Sequence, residues 1–193
     1  MSPNFEEIAL DIIRMARQKG ASEAECTVAE GDEFTVTVRM REVEQLKEAG
    51  SRGAGLRVLI GKRSGSAYTS DLSSEGLQRM VDSALASASV TTEDPHAGLP
   101  DPGELGSLDG DLRLYSEDLR ALEAPSKIQQ ARQAEQAAFD YDPRIVNSEG
   151  ASFDTHLSLR VFANSRGFLG SYRAGSCALA AIPVAREGES MER

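Results

Sequence analysis

Two histidines and two cysteines are the side chains of this 193-residue sequence best suited to metal or nucleophilic chemistry. Their spacing speaks against both. His96 is followed by Ala97-Gly98-Leu99-Pro100 and His156 by Leu157-Ser158-Leu159-Arg160. A helix that grips zinc presents two imidazoles at i and i+4 with a glutamate between them, and neither histidine belongs to such a pair. Cys26 and Cys177 are too far apart in sequence to form a clustered thiol site or a disulfide framework, which suits a reducing compartment. Both lie in strand-like stretches with no electropositive motif beside them, so both read as buried, inert thiols. His156 shares the parity of Arg160 and Phe162, opposite an aliphatic stripe, and reads as a surface or edge side chain.

The remaining constellations have simpler readings. Tyr68-Thr69-Ser70-Asp71 sets hydroxyls beside a carboxylate, but no base accompanies them, and a strand end leading into a helix cap accounts for the same letters. Gly53-Ala54-Gly55-Leu56-Arg57-Val58 has two glycines of a dinucleotide fingerprint, then fails at Val58 and continues as strand where a helix should begin. Arg57, Lys62 and Arg63 form the main basic cluster of the first half, read as a solvated turn that discourages edge-to-edge aggregation. Glu23, Glu25, Glu30, Asp32 and Glu33 show no spacing that singles out an acid/base pair and read as a solvated loop. No catalytic, metal-binding or substrate-binding residue is assigned from the sequence.

The elements that would position these residues follow from periodicity. Asn4 caps a first helix with Glu7 three positions on. Phe5, Ile8, Ala9, Ile12, Ile13 and Ala16 recur at helical spacing, and Gly20 supplies the stop. The period then changes to two, with Phe34, Val36, Val38 and Met40 facing one way. Three further strands are expected over 43–49, 55–60 and 66–70, separated by the glycine-bearing connectors 50–53 and 61–65. Asp71 or Ser73 caps a second helix whose buried stripe is Leu77, Met80, Val81, Ala84, Leu85 and Ala88. The stretch 91–103 is rich in proline, glycine and acid and reads as a linker or surface excursion. Ser126 opens an alanine- and glutamine-rich helix that ends near Asp142-Pro143. Alternation returns with Leu157, Leu159, Val161 and Ala163, a turn at 164–167, and strands over 168–174 and 176–184.

A helix followed by an antiparallel meander thus occurs twice. The expected class is α+β, with antiparallel β-meanders packed against helices and the pattern of a duplicated unit. The expected division is a helix/four-strand/helix unit over 1–90, a linker over 91–110, and a second helix-plus-meander unit over 111–193. No closing element follows the last strands, so the second unit reads as truncated at its C-terminal end. Composition narrows function further. The chain carries 31 acidic against 21 basic side chains, a formal net charge of -10, which opposes direct binding to nucleic acid. No stretch reaches the roughly 18 to 20 apolar residues of a membrane span, and the start shows no secretory signal. A cytoplasmic location is the expectation.

One resemblance extends along the chain. It is carried by Gly55-Leu56-Arg57-Val58-Leu59-Ile60-Gly61-Lys62-Arg63-Ser64-Gly65-Ser66-Ala67-Tyr68-Thr69-Ser70-Asp71-Leu72-Ser73, by the helix from Ser73 and by the stretch from Asp94-Pro95 to Gly98-Leu99. The block from Arg144 to Phe153, the turn Val161-Phe162-Ala163-Asn164-Ser165-Arg166-Gly167 and the run Gly188 to Arg193 complete it. Together they resemble the TldD/PmbA family, labelled modulators of DNA gyrase, and within it the PmbA (TldE) branch. The resemblance implies a subunit of a cytoplasmic, zinc-dependent metallopeptidase complex that acts on unfolded peptides. It implies a heterodimer in which the TldD-type partner holds the zinc and the PmbA-type subunit has no metal motif. No position here matches that motif, so the expectation is no cofactor in this chain, with proteolysis supplied by the partner. The competing expectation is a non-proteolytic interaction module acting on DNA gyrase or its regulators.

Overall fold

The computed structural model describes residues 4–106, 110–188 and 190–192. In chain order the elements are α1 (Phe5–Gln18), β1 (Glu23–Arg39), β2 (Glu42–Ile60), β3 (Arg63–Thr69) and α2 (Ser74–Val90), then α3 (Glu117–Ala121), α4 (Ala124–Tyr141), β4 (Ile145–Asn164), β5 (Leu169–Glu187) and β6 (Ser190–Glu192). A single 3-10 turn spans Pro102–Glu104. The fold is α+β. Among the described residues the strands form one sheet in the order β3-β2-β1-β4-β5-β6, with β2 antiparallel to β3 and β5 antiparallel to β6.

Four strands are far longer than the sequence pattern suggests. The stretches expected as two strands, 43–49 and 55–60, are one strand, β2. The connector expected at 50–53 lies inside it, because glycine and serine in a sheet cost only side-chain packing and break no hydrogen bond. In the same way β5 runs unbroken through Gly175, and β4 begins at Ile145, well before the alternation becomes visible. At about 3.3 Å per residue, strands of 17 to 20 residues reach roughly 55–65 Å. One small core cannot cover that length.

Two compact units result, and they interleave along the chain. The first is built from Met1–Glu30, Ser51–Leu112 and Leu159–Arg173, the second from Gly31–Gly50, Arg113–Ser158 and Ala174–Arg193. Each long strand gives one stretch to each unit. Compactness therefore divides the protein differently from the chain-order division at 91–110. Positions 107–109 of that expected linker lie outside the described residues, as do Glu189 and Arg193 of the final motif.

In the first unit, α1 buries Phe5, Ala9, Ile12, Ile13 and Ala16 against Cys26 and Val28 of β1, Leu56 and Val58 of β2, and Leu77, Met80, Val81, Ala84 and Ala88 of α2. Asn4 caps α1 by accepting from the Glu6 and Glu7 amides, and Ser73 caps α2 by accepting from the Gly76 amide. A side chain at Gly65 of β3 would run into the Ala84 carbonyl and the Ala88 amide, so glycine is what lets α2 lie directly on the strand. In the second unit, Phe34, Val36 and Val38 of β1 pack with Phe153 of β4 and Ala131 of α4. Lys127 adds a cation–π contact 4.3 Å over the Phe34 ring and donates to Thr155 Oγ1 at 3.1 Å. The alanine-rich helix starts at Ala124, two residues before the expected Ser126, with Glu123 as its cap residue and Pro125 in its first turn.

Candidate functional sites

The face of the first unit's sheet opposite its helices is polar and ionically paired. Arg57 Nε donates to Glu25 Oε1 at 2.6 Å, and Arg57 Nη2 donates to the Gly98 carbonyl at 3.2 Å. Arg166 donates to Glu23 Oε1 from Nε at 2.8 Å and from Nη2 at 2.6 Å. Its Nη1 reaches the Pro100 carbonyl and Asp101 Oδ1. The hydrogen bond that Arg166 donates to Glu23 raises the Arg166 pKa above its ordinary value. Leu99 N donates to Glu23 Oε2, Lys62 Nζ donates to the Ala97 carbonyl, and Asp94 N donates to the Lys62 carbonyl. The excursion over 94–101 is therefore a strap tied to the sheet. Leu59 has the parity of Arg57, away from the helices, yet it is fully buried.

These contacts correct two expectations. Glu23 and Glu25 are strand residues in ion pairs, where a solvated loop was expected. The signal was present, since alternation of Ala24, Cys26 and Val28 with those acids extends β1 to Glu23. The basic cluster of Arg57, Lys62 and Arg63 is likewise engaged rather than merely solvated, with Arg63 3.5 Å from Glu93. Beside the Arg57–Glu25 pair lies an open cavity of about 270 Å³ bordered by Thr27, Gly55, Ser66 and Phe162.

The second unit carries an open cavity of about 320 Å³ lined by Glu33, Thr35, Asp154, Thr155, His156, Ser176 and Cys177. His156 is exposed, as expected, with Nδ1 4.0 Å from Glu33 Oε1, and Glu33 also pairs with Lys47 at 3.3 Å. Cys177 is exposed, which corrects the expectation of a buried thiol: residues 176–180 of β5 are exposed on both faces of the strand. Cys26 is buried, and burial pushes its thiol pKa up to about 12, leaving it unreactive. His96 belongs to the first unit and His156 to the second. Among the described residues no three histidine, cysteine or acidic side chains converge to hold a metal ion.

The Thr69-Ser70-Asp71 stretch is a cap. Thr69 Oγ1 accepts from the Asp71 amide, and Asp71 Oδ1 accepts from the Ser73 amide. Hydrogen bonds from the Ser73 side chain and amide, with help from Arg79, hold the Asp71 pKa below its ordinary value.

The feature that sequence reading missed is at the β1–β2 turn. Met40 and Arg41 sit at φ +50° and +68°, the left-handed conformation that a two-residue hairpin demands at both central positions. Side chains other than glycine or asparagine cost roughly 1–2 kcal/mol per residue there. Glu135 of α4 offsets this cost. It is 1% exposed, and its two carboxylate oxygens accept the Met40 amide at 2.9 Å and the Arg41 amide at 2.7 Å. Arg132 Nε donates to the Arg41 carbonyl at 3.1 Å. The available signal was an acid at a stripe position, because Ile128, Ala131 and Glu135 share one helical face.

Beyond that turn β2 is bare. β3 pairs only with residues 54–60, leaving the outer edge of 42–53 unpaired among the described residues, with residues 42–48 exposed.

Two family models match the chain, one after the other in sequence, so their boundaries cut across the two interleaved compact units. The family model for the PmbA/TldA metallopeptidase domain 1 matches residues 24–88, and that for the PmbA/TldA metallopeptidase central domain matches residues 117–193. The chain is 34% identical over 93% of its length to Metalloprotease PmbA homolog of Haemophilus influenzae, and 35% identical over 98% to Metalloprotease PmbA of Escherichia coli O157:H7. It spans 39% and 41% of those proteins. In structure it is similar to a putative modulator of DNA gyrase from Bacteroides thetaiotaomicron, with TM-score 0.87 and 23% identity over 99% of this chain and 44% of that one. It is also similar to TldE from Thermococcus kodakarensis, with TM-score 0.80 and 18% identity over 95% of this chain and 40% of that one.

Proposed function

This chain belongs to the PmbA/TldD metallopeptidase family, and on that premise we propose that it is the N-terminal part of a PmbA/TldE-like subunit in a cytoplasmic peptidase complex. The complex acts on unfolded peptides, and a TldD-type partner provides the zinc and the hydrolysis. One observation supports this reading: the chain matches both family domains and is 34–35% identical to proteins named for PmbA over more than nine-tenths of its length. No helix among those residues is long and apolar enough to cross a membrane, which agrees with the proposed location without fixing it.

The proposed part of this subunit is to build and guide. The bare edge of β2 offers free backbone donors and acceptors over 42–53, and an extended peptide can add to such an edge with little regard to its sequence. Peptide affinity would then come from main-chain hydrogen bonds, and cleavage from the partner.

The test is reconstitution. The protein alone, a TldD-type subunit alone, and the two mixed at several ratios are assayed against an unfolded peptide, with bound zinc measured in each. Turnover that needs both proteins, with zinc absent from this one, supports the subunit reading. Stoichiometric zinc and unaided cleavage by this chain would overturn it. Inertness at every ratio would favour the interaction module acting on gyrase or its regulators.

A further inference from the structure

Within the second unit the bare edge of β2 runs over 42–50, about 30 Å at 3.3 Å per residue and longer than most whole strands. Residues 42–48 are exposed, and the stretch contains no proline, so every position keeps its amide donor.

Main-chain hydrogen bonds alone would leave this edge indifferent to sequence. Its side chains are not indifferent to charge. Glu42, Glu44 and Glu48 stand along it with one cation, Lys47, and Lys47 lies 3.3 Å from Glu33 of the adjoining β1. Glu44 is 3.6 Å from Arg39. Asp32 belongs to the far end of the edge, since a Cβ at Gly50 would lie 3.3 Å from its Oδ1. Glu42, Glu48 and Asp32 are exposed and have no ion pair among the described residues. Unpaired carboxylates thus flank both ends of the edge, with Arg41 of the turn the one cation beside Glu42. Val43 and Leu46, 38% and 48% exposed, lie between them.

These charges discriminate among occupants. A second copy of this chain paired antiparallel about Gln45 would set Glu42 of each edge opposite Glu48 of the other, and like charges directly opposite destabilise a sheet. An acidic peptide is disfavoured in the same way. Lysine or arginine on an incoming strand instead meets carboxylates that lack a partner.

We infer that the edge over 42–50 selects extended polypeptide that is basic, with the peptide main chain bonded to β2 and its lysine or arginine side chains paired with Glu42, Glu48 and Asp32. This rests on the reading above, in which the edge receives peptide.

The test measures binding to the full chain alone by fluorescence anisotropy, with no partner and no hydrolysis. The probes are a short labelled peptide of alternating lysine and threonine, the same peptide with glutamate for lysine, and the lysine peptide with alternate backbone amides N-methylated. The lysine peptide should bind about tenfold more tightly than the glutamate peptide at low salt, and the gap should narrow as salt rises. N-methylation keeps the charge and removes donors, and should cost about tenfold or more. Glu42→Gln with Glu48→Gln should reduce the lysine preference to about threefold or less.

Equal affinity for the lysine and glutamate peptides overturns the charge selection and leaves peptide addition to the edge standing. Undiminished binding of the N-methylated peptide, or an unchanged preference in the double variant, places the attraction elsewhere and overturns the inference. A chain that pairs with itself in sedimentation, and that the lysine peptide does not dissociate, overturns it too. If no probe binds, the peptide edge itself falls, while reconstitution with a TldD-type subunit still decides the subunit reading.

Discussion

Arg166 and Glu23 meet across 143 positions of sequence, with two guanidinium nitrogens 2.8 Å and 2.6 Å from a single carboxylate oxygen. The pair joins the β4–β5 turn to the start of β1, and the strap over 94–101 is fastened to both partners. Contacts to the strap come chiefly from side chains, so it can open without unzipping the sheet.

Replacing Arg166 by alanine should therefore loosen the strap alone. Hydrogen exchange at the Leu99 amide should accelerate by about tenfold while α1 amides keep their protection. Global stability should change little, as is usual for a solvent-screened pair. Uniform acceleration across α1 and the strap would mean that the strap is inseparable from the first unit's core.

Glu135→Ala should be far more damaging. It strips both acceptors from the Met40 and Arg41 amides and leaves the strained turn unsupported, a loss of about 2–4 kcal/mol in urea unfolding. Glu135→Gln keeps one acceptor oxygen and should fall between. Equal stability of all three proteins would show that the turn needs no clamp.

Asp142 gives a pH signature. Hydrogen bonds from Arg144 lower its pKa to about 2, against about 3.9 for a free aspartate. The folded state releases this proton more readily than the unfolded one, so the contribution is complete above about pH 4 and disappears as pH falls through about 2. An NMR titration should place the Asp142 midpoint near 2 in the wild type and higher in Arg144→Ala, though still below the free value, because the residue-144 amide continues to donate to the carboxylate.

The two thiols should behave oppositely. Cys177 is exposed, whereas Cys26 is buried with its pKa pushed up to about 12. Brief treatment of the folded chain with an alkylating reagent at pH 8 should label Cys177 alone, and labelling after denaturation should reach both. Mass spectrometry of the tryptic peptides reads the outcome directly.

Much of the architecture was legible in the residues. The α1 stripe, its Asn4 cap, the Ser73 cap and the period-two stretches of β1 and β4 appear where the sequence pattern puts them, because each is enforced by neighbours a few positions away. The continuity of β2 through Gly50 to Gly53 was not legible. Glycines there look like a turn, and only the place of β2 beside β1 in the sheet makes them extended. The role of Glu135 was equally hidden, because the amides it binds lie 94 and 95 positions away. Cys177 misled for a related reason: alternation marks a strand but cannot say whether a second layer lies over it.

The two hydrophobic clusters are unequal. Among the described residues nineteen buried apolar side chains support the first unit and five the second. Burial at about 25 cal/mol per Å² sets how firmly each region resists thermal agitation, so the thinner assembly should breathe first. Opening that begins in the thinner cluster would leave the sturdier one as the last region to lose its order.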